Sequence, residues 1–200
     1  MTREVIEMRI IAGCARGRRL KTRKGSQTRP TADRVKESLF NILGNRLQGA
    51  FFLDIFAGNG GVGLEAVSRG AEKCVFIEKN SQCVKIIKEN LSLCQLQARG
   101  EVLQSDALTA IKLLAQKQQQ FTFIFLDPPY YSPVLAPVLA LLAERNLLLP
   151  TGVVIVEHHR RHTGWWQPEK WQIIRVKEYG DTRLTFFVPG RTVEENREAY

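Results

Sequence analysis

Two rhythms of apolar residues run along this chain. Short apolar runs at 50–55, 73–77, 99–104, 121–126 and 153–156 read as strands. Between them, the segments 61–69, 81–93, 106–116 and about 134–146 carry helical spacing, as with Leu108, Ile111 and Leu114 or Ala115 on one side of the third. Asn80 stands where a cap for the second helix belongs, and Gly70 where the first should stop. Upstream, Pro30 and Thr31 open a further helix, with Thr31 as its cap, Asp33 in its first turn, and Val35, Leu39, Ile42, Leu43 and Leu47 on its buried face. Strands at 8–13 and 18–22 flank a turn ending at Gly17, which predicts an N-terminal hairpin, and 23–29 reads as a polar linker. At the other end, 171–178 and 182–188 alternate around Tyr179-Gly180-Asp181 as a second hairpin. Strands alternating with helices predict an α/β fold: a mostly parallel sheet covered on both faces, with a C-terminal antiparallel hairpin and an N-terminal basic hairpin and helix. The expected division is 1–30 as hairpin and linker, 31–190 as the main domain and 191–200 as a tail.

The 200 residues suit one domain with an appendage, and 44% hydrophobic against 24% charged residues excludes wholesale disorder. The longest nearly apolar stretch, 133–143, contains Pro137 and is far short of the roughly 20 residues of a membrane span. With Arg3, Glu4 and Glu7 and no apolar segment, the N-terminus shows no signal peptide. Cysteines 14, 74, 83 and 94 contain no C-x-x-C spacing, and free thiols without an export signal fit the cytoplasm. Charge changes the picture most. Residues 9–36 hold ten Lys/Arg against Asp33 alone, so they account for the whole net charge of +9. A basic arm ahead of a neutral domain points to a polyanion, most often nucleic acid, unless it is a solvated tail.

Two places carry candidate chemistry. The run Phe52 to Gly63 includes Asp54, Phe56, Ala57, Gly58, Asn59 and Gly60, and falls where the first parallel strand passes into a helix. Ligands of open α/β sheets bind beyond such strand ends. Gly58-x-Gly60-x-x-Gly63 matches a dinucleotide fingerprint, although a tight turn without a ligand has the same pattern. Glu78, 20 residues after Gly58, ends the next strand, where an acid can take both hydroxyls of a ribose. The second place is Asp127-Pro128-Pro129-Tyr130, after the run 121–126. Prolines lack N–H donors and hold φ near −65°, so carbonyls here can face a cleft as acceptors. With the Asp127 carboxylate and the Tyr130 ring, that suits an exocyclic amine on a flat base. His158, His159 and His162 beside Glu157 read as polar surface residues rather than metal ligands, and no metal is expected. Trp165, Trp166 and Trp171 read as packing.

The second motif resembles the signature of S-adenosylmethionine-dependent amino methyltransferases acting on nucleic-acid bases. Asp54 to Gly60 resembles the first motif of that superfamily, which holds the methionine part of the cofactor. Glu78 matches its ribose-binding acid, and Ser105-Asp106-Ala107 resembles its adenine-contacting segment. The whole order, from Arg9-Ile-Ile-Ala-Gly-Cys-Ala-Arg-Gly-Arg-Arg-Leu20 through Arg29-Pro-Thr-Ala-Asp-Arg-Val35 to Tyr179-Gly-Asp-Thr-Arg-Leu184, is similar to the RsmD-type ribosomal RNA methyltransferases over about residues 9–188. Ala12 stands where that family often has a second glycine, and Ser132-Pro133-Val134 lacks its frequent basic or glycine-rich character.

The resemblance implies a Rossmann-like methyltransferase sheet and S-adenosyl-L-methionine as cofactor. It implies methylation of a guanine N2 amine in small-subunit ribosomal RNA, in the RNA itself or in a small-subunit particle. Asp127, Pro128, Pro129 and Tyr130 would be catalytic. Asp54, Phe56, Ala57, Gly58, Asn59, Gly60, Glu78, Asp106 and Ala107 would bind cofactor. Arg16, Arg18, Arg19, Arg29 and Arg34 would grip RNA from a ledge beside the cleft, on a protein expected to be a monomer away from membranes. Rival readings are an amino methyltransferase on other RNA or on DNA adenine N6, an NAD(P)-dependent oxidoreductase, and a non-catalytic RNA-binding module.

Overall fold

The computed structural model describes residues 8–23, 30–167 and 169–190. Its elements are α1 (Pro30–Leu43), β1 (Phe51–Ile55), α2 (Gly61–Ser68), β2 (Lys73–Glu78), α3 (Ser81–Leu93), β3 (Gly100–Gln104), α4 (Ala107–Gln116), β4 (Phe121–Leu126), α5 (Leu135–Glu144), β5 (Leu148–His159), β6 (Trp171–Tyr179) and β7 (Thr182–Pro189). One seven-stranded sheet has the order β3-β2-β1-β4-β5-β7-β6, with β6 and β7 antiparallel and the other five strands parallel to one another. The order reverses between β1 and β4, which opens a crevice above their carboxyl ends.

Alternation along the central strands builds a core on each face. Phe52, Phe76, Phe123, Phe125 and Ile155 pack with α1, α2 and α3, while Leu53, Ile55, Ile77, Ile124, Leu126 and Val156 pack with α4 and α5. The strands are therefore apolar on both sides, as a covered parallel sheet requires. Trp165 and Trp171 are buried around Phe187, and Trp166 packs on the same ring, as expected of packing residues. Asn80 caps α3 by accepting the Gln82 and Cys83 N–H groups. No helix among the described residues is long and apolar enough to cross a membrane.

Several local expectations need correction. Helix α1 already includes Pro30, so Thr31 lies inside its first turn rather than at the cap, and residues 24–29 ahead of it are outside the described residues. Gly44, at φ +52°, ends α1, and Leu47 is buried from a 3-10 turn instead of the helix face. Strand β5 runs well beyond 153–156, because Leu148 pairs with Phe121 at one end and Glu157 to His159 pair with β7 at the other.

The N-terminal hairpin forms but is short: the bridge of Arg9 with Arg19 is flanked by Ile10 N–H to the Arg18 carbonyl at 3.0 Å, Gly17 N–H to the Ile10 carbonyl at 2.9 Å and Leu20 N–H to the Met8 carbonyl at 2.8 Å. Its remaining backbone donors turn to the domain. Ile11 and Ala12 N–H groups donate to the Glu65 carboxylate at 2.8 and 2.9 Å, and Cys14 N–H to the Ser68 carbonyl at 2.8 Å. Ile10, Ala15 and Leu20 are buried in the core of the α1–α3 side. Gly13 permits the approach: at φ +86°, a Cβ there would lie 1.8 Å from the Ser68 oxygen. Arg16, Arg18, Arg19 and Arg34 are exposed, and Arg29 lies outside the described residues. The turn at Gly13 to Gly17 sits at the far end of α2 from the strand-end crevice. Among the described residues of the segment, Met8 lies against Gly61, the Arg23 N–H donates to the Asn59 side chain at 3.3 Å, and Asp33 and Lys36 line the hollow beside the cleft, while Arg16, Arg18 and Arg19 lie in or next to the turn away from it.

Candidate active site

The carboxyl ends of β1, β2, β3, β4 and β5 enclose a cleft of about 600 Å³. Phe56, Gly58, Glu78, Asp106, Ala107 and the whole Asp127-Pro128-Pro129-Tyr130 segment line it, together with Ile77, Val134 and Glu157. The volume falls within the usual small-molecule range of about 300–1,000 Å³. A smaller hollow of about 240 Å³ adjoins it toward α1 and is lined by Met8, Asp33, Lys36, Asp54, Ala57 and Asn59, among others. Phe56, Gly58, Asp127 and Glu157 line both spaces.

The loop after β1 is held in an unusual conformation. Phe56 has φ +67°, a left-handed value uncommon for a bulky side chain, and Gly58 and Gly60 are also at positive φ. Three backbone contacts fix it: the Ala57 N–H reaches the Ile77 carbonyl at 3.0 Å, the Gly60 N–H the Ala57 carbonyl at 2.7 Å, and the Gly58 N–H the Glu78 carboxylate at 2.9 Å. Glu78 also accepts the Asn80 N–H at 2.7 Å, so its two oxygens are oriented by backbone donors. Each oxygen keeps a further lone pair for a ligand hydroxyl.

Asp54 is buried and accepts the Gly63 N–H in the first turn of α2 at 2.9 Å. Burial raises its carboxyl to about 7 against that bond, helped by the nearby Asp127 and Glu78 charges. Asn59 faces the smaller hollow, and its carbonyl accepts from Asn90. Gly60 lines neither space: it is buried against Ile87 and Leu64 and starts α2. Asp106 caps α4 by accepting the Thr109 N–H at 3.0 Å, and that hydrogen bonding holds its carboxyl below the usual range.

Asp127 opens into the cleft, yet protein packs around its side chain, and the lost hydration raises its carboxyl to about 7. Glu157 is also raised, by burial and then by the neighbouring Asp127 charge. Tyr130 hydrogen-bonds Thr182 through its hydroxyl at 3.1 Å and meets the His159 ring edge-on. That leaves an anchored aromatic ring on the cleft wall. His158 is buried rather than on the surface: its Nε2 meets the Thr185 hydroxyl at 2.9 Å, and burial lowers its pKa to about 4. His159 and His162 instead lie against the exposed Tyr131. Among the described residues no group of three His, Cys, Asp or Glu side chains could hold a metal.

Sequence reasoning missed Glu157, Lys36 and Glu65. Glu157 carried a readable signal, since it ends a parallel strand run as Glu78 and Asp127 nearly do. Lys36 is buried, bonded to the Arg9 carbonyl at 2.9 Å and set 3.7 Å from the Glu65 carboxylate. Burial lowers its pKa while Glu65 and Asp33 oppose the change.

The family described as Conserved hypothetical protein 95 matches residues 8–188. The chain belongs to this family, the RsmD-type methyltransferases. It is 37% identical to the ribosomal RNA small subunit methyltransferase D of Haemophilus influenzae, covering 87% of this chain and 90% of that one. Identity to YlbH of Bacillus subtilis is 42%, over 76% of this chain and 83% of the relative. The solved yhhF chain of Escherichia coli superposes with a TM-score of 0.79 at 32% identity, covering 93% and 99% of the two chains. The expected methyltransferase fold is therefore borne out, C-terminal hairpin included.

Proposed function

We propose that this protein transfers a methyl group from S-adenosylmethionine to the N2 amine of a guanine in small-subunit ribosomal RNA, in the cytoplasm and within a small-subunit particle. The observation that carries the reading is the convergence of two motifs in one cleft. Glu78, Asp106 and Ala107 stand on one side of it, and Asp127 to Tyr130 on the other. The first group suits an adenosine: carboxylates for ribose hydroxyls, and the apolar Ile77 and Ala107 for a flat base. The adjoining hollow, with Asp54, Ala57 and Asn59, suits the polar methionine end.

The bound cofactor supplies an electrophilic methyl on a sulfonium. The amine nitrogen forms a bond to that carbon as the carbon–sulfur bond breaks, and a neutral thioether leaves. The nitrogen then loses a proton to Asp127 or to water. The chain's contribution is alignment, worth about 7–11 kcal/mol in well-oriented cases. Asp127 and the Pro128 carbonyl accept the amine hydrogens and favour the positive charge developing on nitrogen. Tyr130 provides a stacking face for the unpaired or flipped base.

The exposed arginines 16, 18, 19 and 34, with Arg29, are proposed as phosphate contacts, their forks matching phosphate oxygens. The test is transfer of labelled methyl to naked ribosomal RNA and to small subunits, followed by nucleoside analysis. N2-methylguanosine is expected; label on another nucleoside, or none on either substrate, overturns the proposal.

A further inference from the structure

A second carboxylate stands beside Asp127. Leu126 of β4 pairs in parallel register with Val156 of β5, so the next residues, Asp127 just past the end of β4 and Glu157 within β5, sit side by side. Neighbouring strands lie about 4.8 Å apart. Both side chains line the large cleft and the adjoining hollow. Among the described residues neither carboxyl has a hydrogen bond or ion pair from another side chain or backbone group. Setting two acids together is unfavourable unless donors arrive to share between them.

The chemistry of bases says which donors fit. An ionised carboxylate only accepts hydrogen bonds, and a row of ligand donors is what favours ionisation of both acids here. Guanine presents its N2 amine next to N1–H, a continuous row of donors. Adenine and cytosine place a ring-nitrogen lone pair beside the amine, and that lone pair would face the second carboxylate and be repelled. Resting on the methyltransferase reading above, we propose that Glu157 is a specificity-determining residue that accepts the guanine N1–H, while Asp127 holds the N2 amine. The pair then selects guanine from the other amine-bearing bases and turns N2 toward the methyl donor. Placement of Glu157 within β5, paired to Leu184 of β7, gives it a rigid mount, which a carboxylate on a loop would lack.

The experiment compares RNA carrying guanine at the methylated position with RNA carrying 2-aminopurine there. 2-Aminopurine keeps the amine but has a lone pair at N1 and lacks O6. Wild-type kcat/KM is expected to favour guanine by about 10–150-fold, the range of one charge-assisted hydrogen bond. In Glu157→Gln the amide can donate to the N1 lone pair, so the guanine preference is expected to fall at least about 10-fold from the wild-type ratio. The change in ratio isolates Glu157, since O6 is missing from the analogue with either enzyme. Equal wild-type rates on the two RNAs overturn the assignment without any variant, so a misfolded variant cannot shield it. Guanine methylation with an unchanged ratio in a folded Glu157→Gln overturns this assignment alone. Label on a base other than guanine overturns the functional reading and this assignment together.

Discussion

Glu65 ties three parts of the molecule together and gives the sharpest test of the packing argument. Its carboxylate is wholly buried. It accepts the Ile11 and Ala12 N–H groups at 2.8 and 2.9 Å and the Arg69 Nε at 2.7 Å, with the Lys36 ammonium 3.7 Å away. Removing the carboxylate by Glu65→Ala strands two backbone donors, the buried Lys36 ammonium and the partly exposed Arg69 guanidinium in a site largely shielded from water. Loss of one partner from a buried ion pair costs about 3–5 kcal/mol. Each of the three charge-assisted bonds is separately worth about 1.5–3 kcal/mol, and shared geometry keeps them from adding in full. About 3–5 kcal/mol is therefore expected in urea unfolding. At about 2–4 °C per kcal/mol for a chain of this size, the melting temperature should drop by roughly 6–20 °C.

The loss could also appear locally, because the arm can detach while the sheet stays folded. Amide exchange at Ile11 and Ala12 should then accelerate by orders of magnitude, and Ile10 and Leu20 would leave the core they now share. Glu65→Gln keeps one oxygen acceptor without the charge, so it should lie between the alanine variant and wild type. A stability loss under about 1 kcal/mol together with unchanged exchange at residues 11 and 12 would refute the reasoning.

Further outcomes follow from the cleft and the arm. Glu78→Ala should weaken S-adenosylmethionine binding by about 1.5–3 kcal/mol in a calorimetric titration, through lost bonds to the ribose; unchanged affinity in a folded variant would remove Glu78 from the cofactor site. Asp127→Ala should leave cofactor affinity near normal and slow methyl transfer by about 10²-fold or more, and a rate above a tenth of wild type would contradict its role as amine acceptor. Asp54, raised to about 7 from an ordinary 3.8, keeps in the folded state a proton that the unfolded chain has already released. Its contribution is complete below about pH 4 and is lost as pH rises through about 7, so Asp54→Asn should flatten the stability–pH curve over that window, and parallel curves would reject the assignment. Neutralising Arg16, Arg18 and Arg19 to Gln should reduce the slope of log K against log salt for RNA by about 2–3, at 0.7–0.9 per phosphate contact; an unaltered slope would make the arm a solvated surface.

Much of the frame was readable from pattern alone, because period-2 and period-3.6 spacing is a local property of the chain. The strands from 50 to 126, the Asn80 cap and the terminal hairpin all rest on such local spacing. The motif residues were readable for a related reason: strand ends carry the site, and Glu78 and Asp127 sit at strand ends. What escaped was non-local. Nothing near Glu65 announces that residues 11 and 12, 53 or 54 positions earlier, will hydrogen-bond to it. The hairpin at 8–22 was legible as strands and pairs across itself at Ile10–Arg18 and Leu20–Met8, but nothing local showed that the donors of Ile11, Ala12, Cys14 and Ala15 would go to Glu65 and Ser68. Likewise His158 looked polar in sequence and is buried, because its ring finds the Thr185 hydroxyl on the strand alongside.

The path of the arm separates two tasks that the sequence had placed together. It starts where Met8 touches Gly61, runs the eight residues of α2 to Ser68, and returns along α3 through the paired contacts of Lys21 with Asn90 to Asn59. At about 1.5 Å per residue, α2 sets the arginine-rich turn some 12 Å from the glycine loop. On the proposed function, phosphates held at Arg16 to Arg19 would lie outside the cleft that takes the target nucleotide. Those arginines would then govern affinity and orientation, while Asp127, Tyr130 and Glu157 would act on the base itself. Arg23, whose N–H is bonded to Asn59, is one place where RNA held by the arm would reach the glycine loop proposed to hold the cofactor.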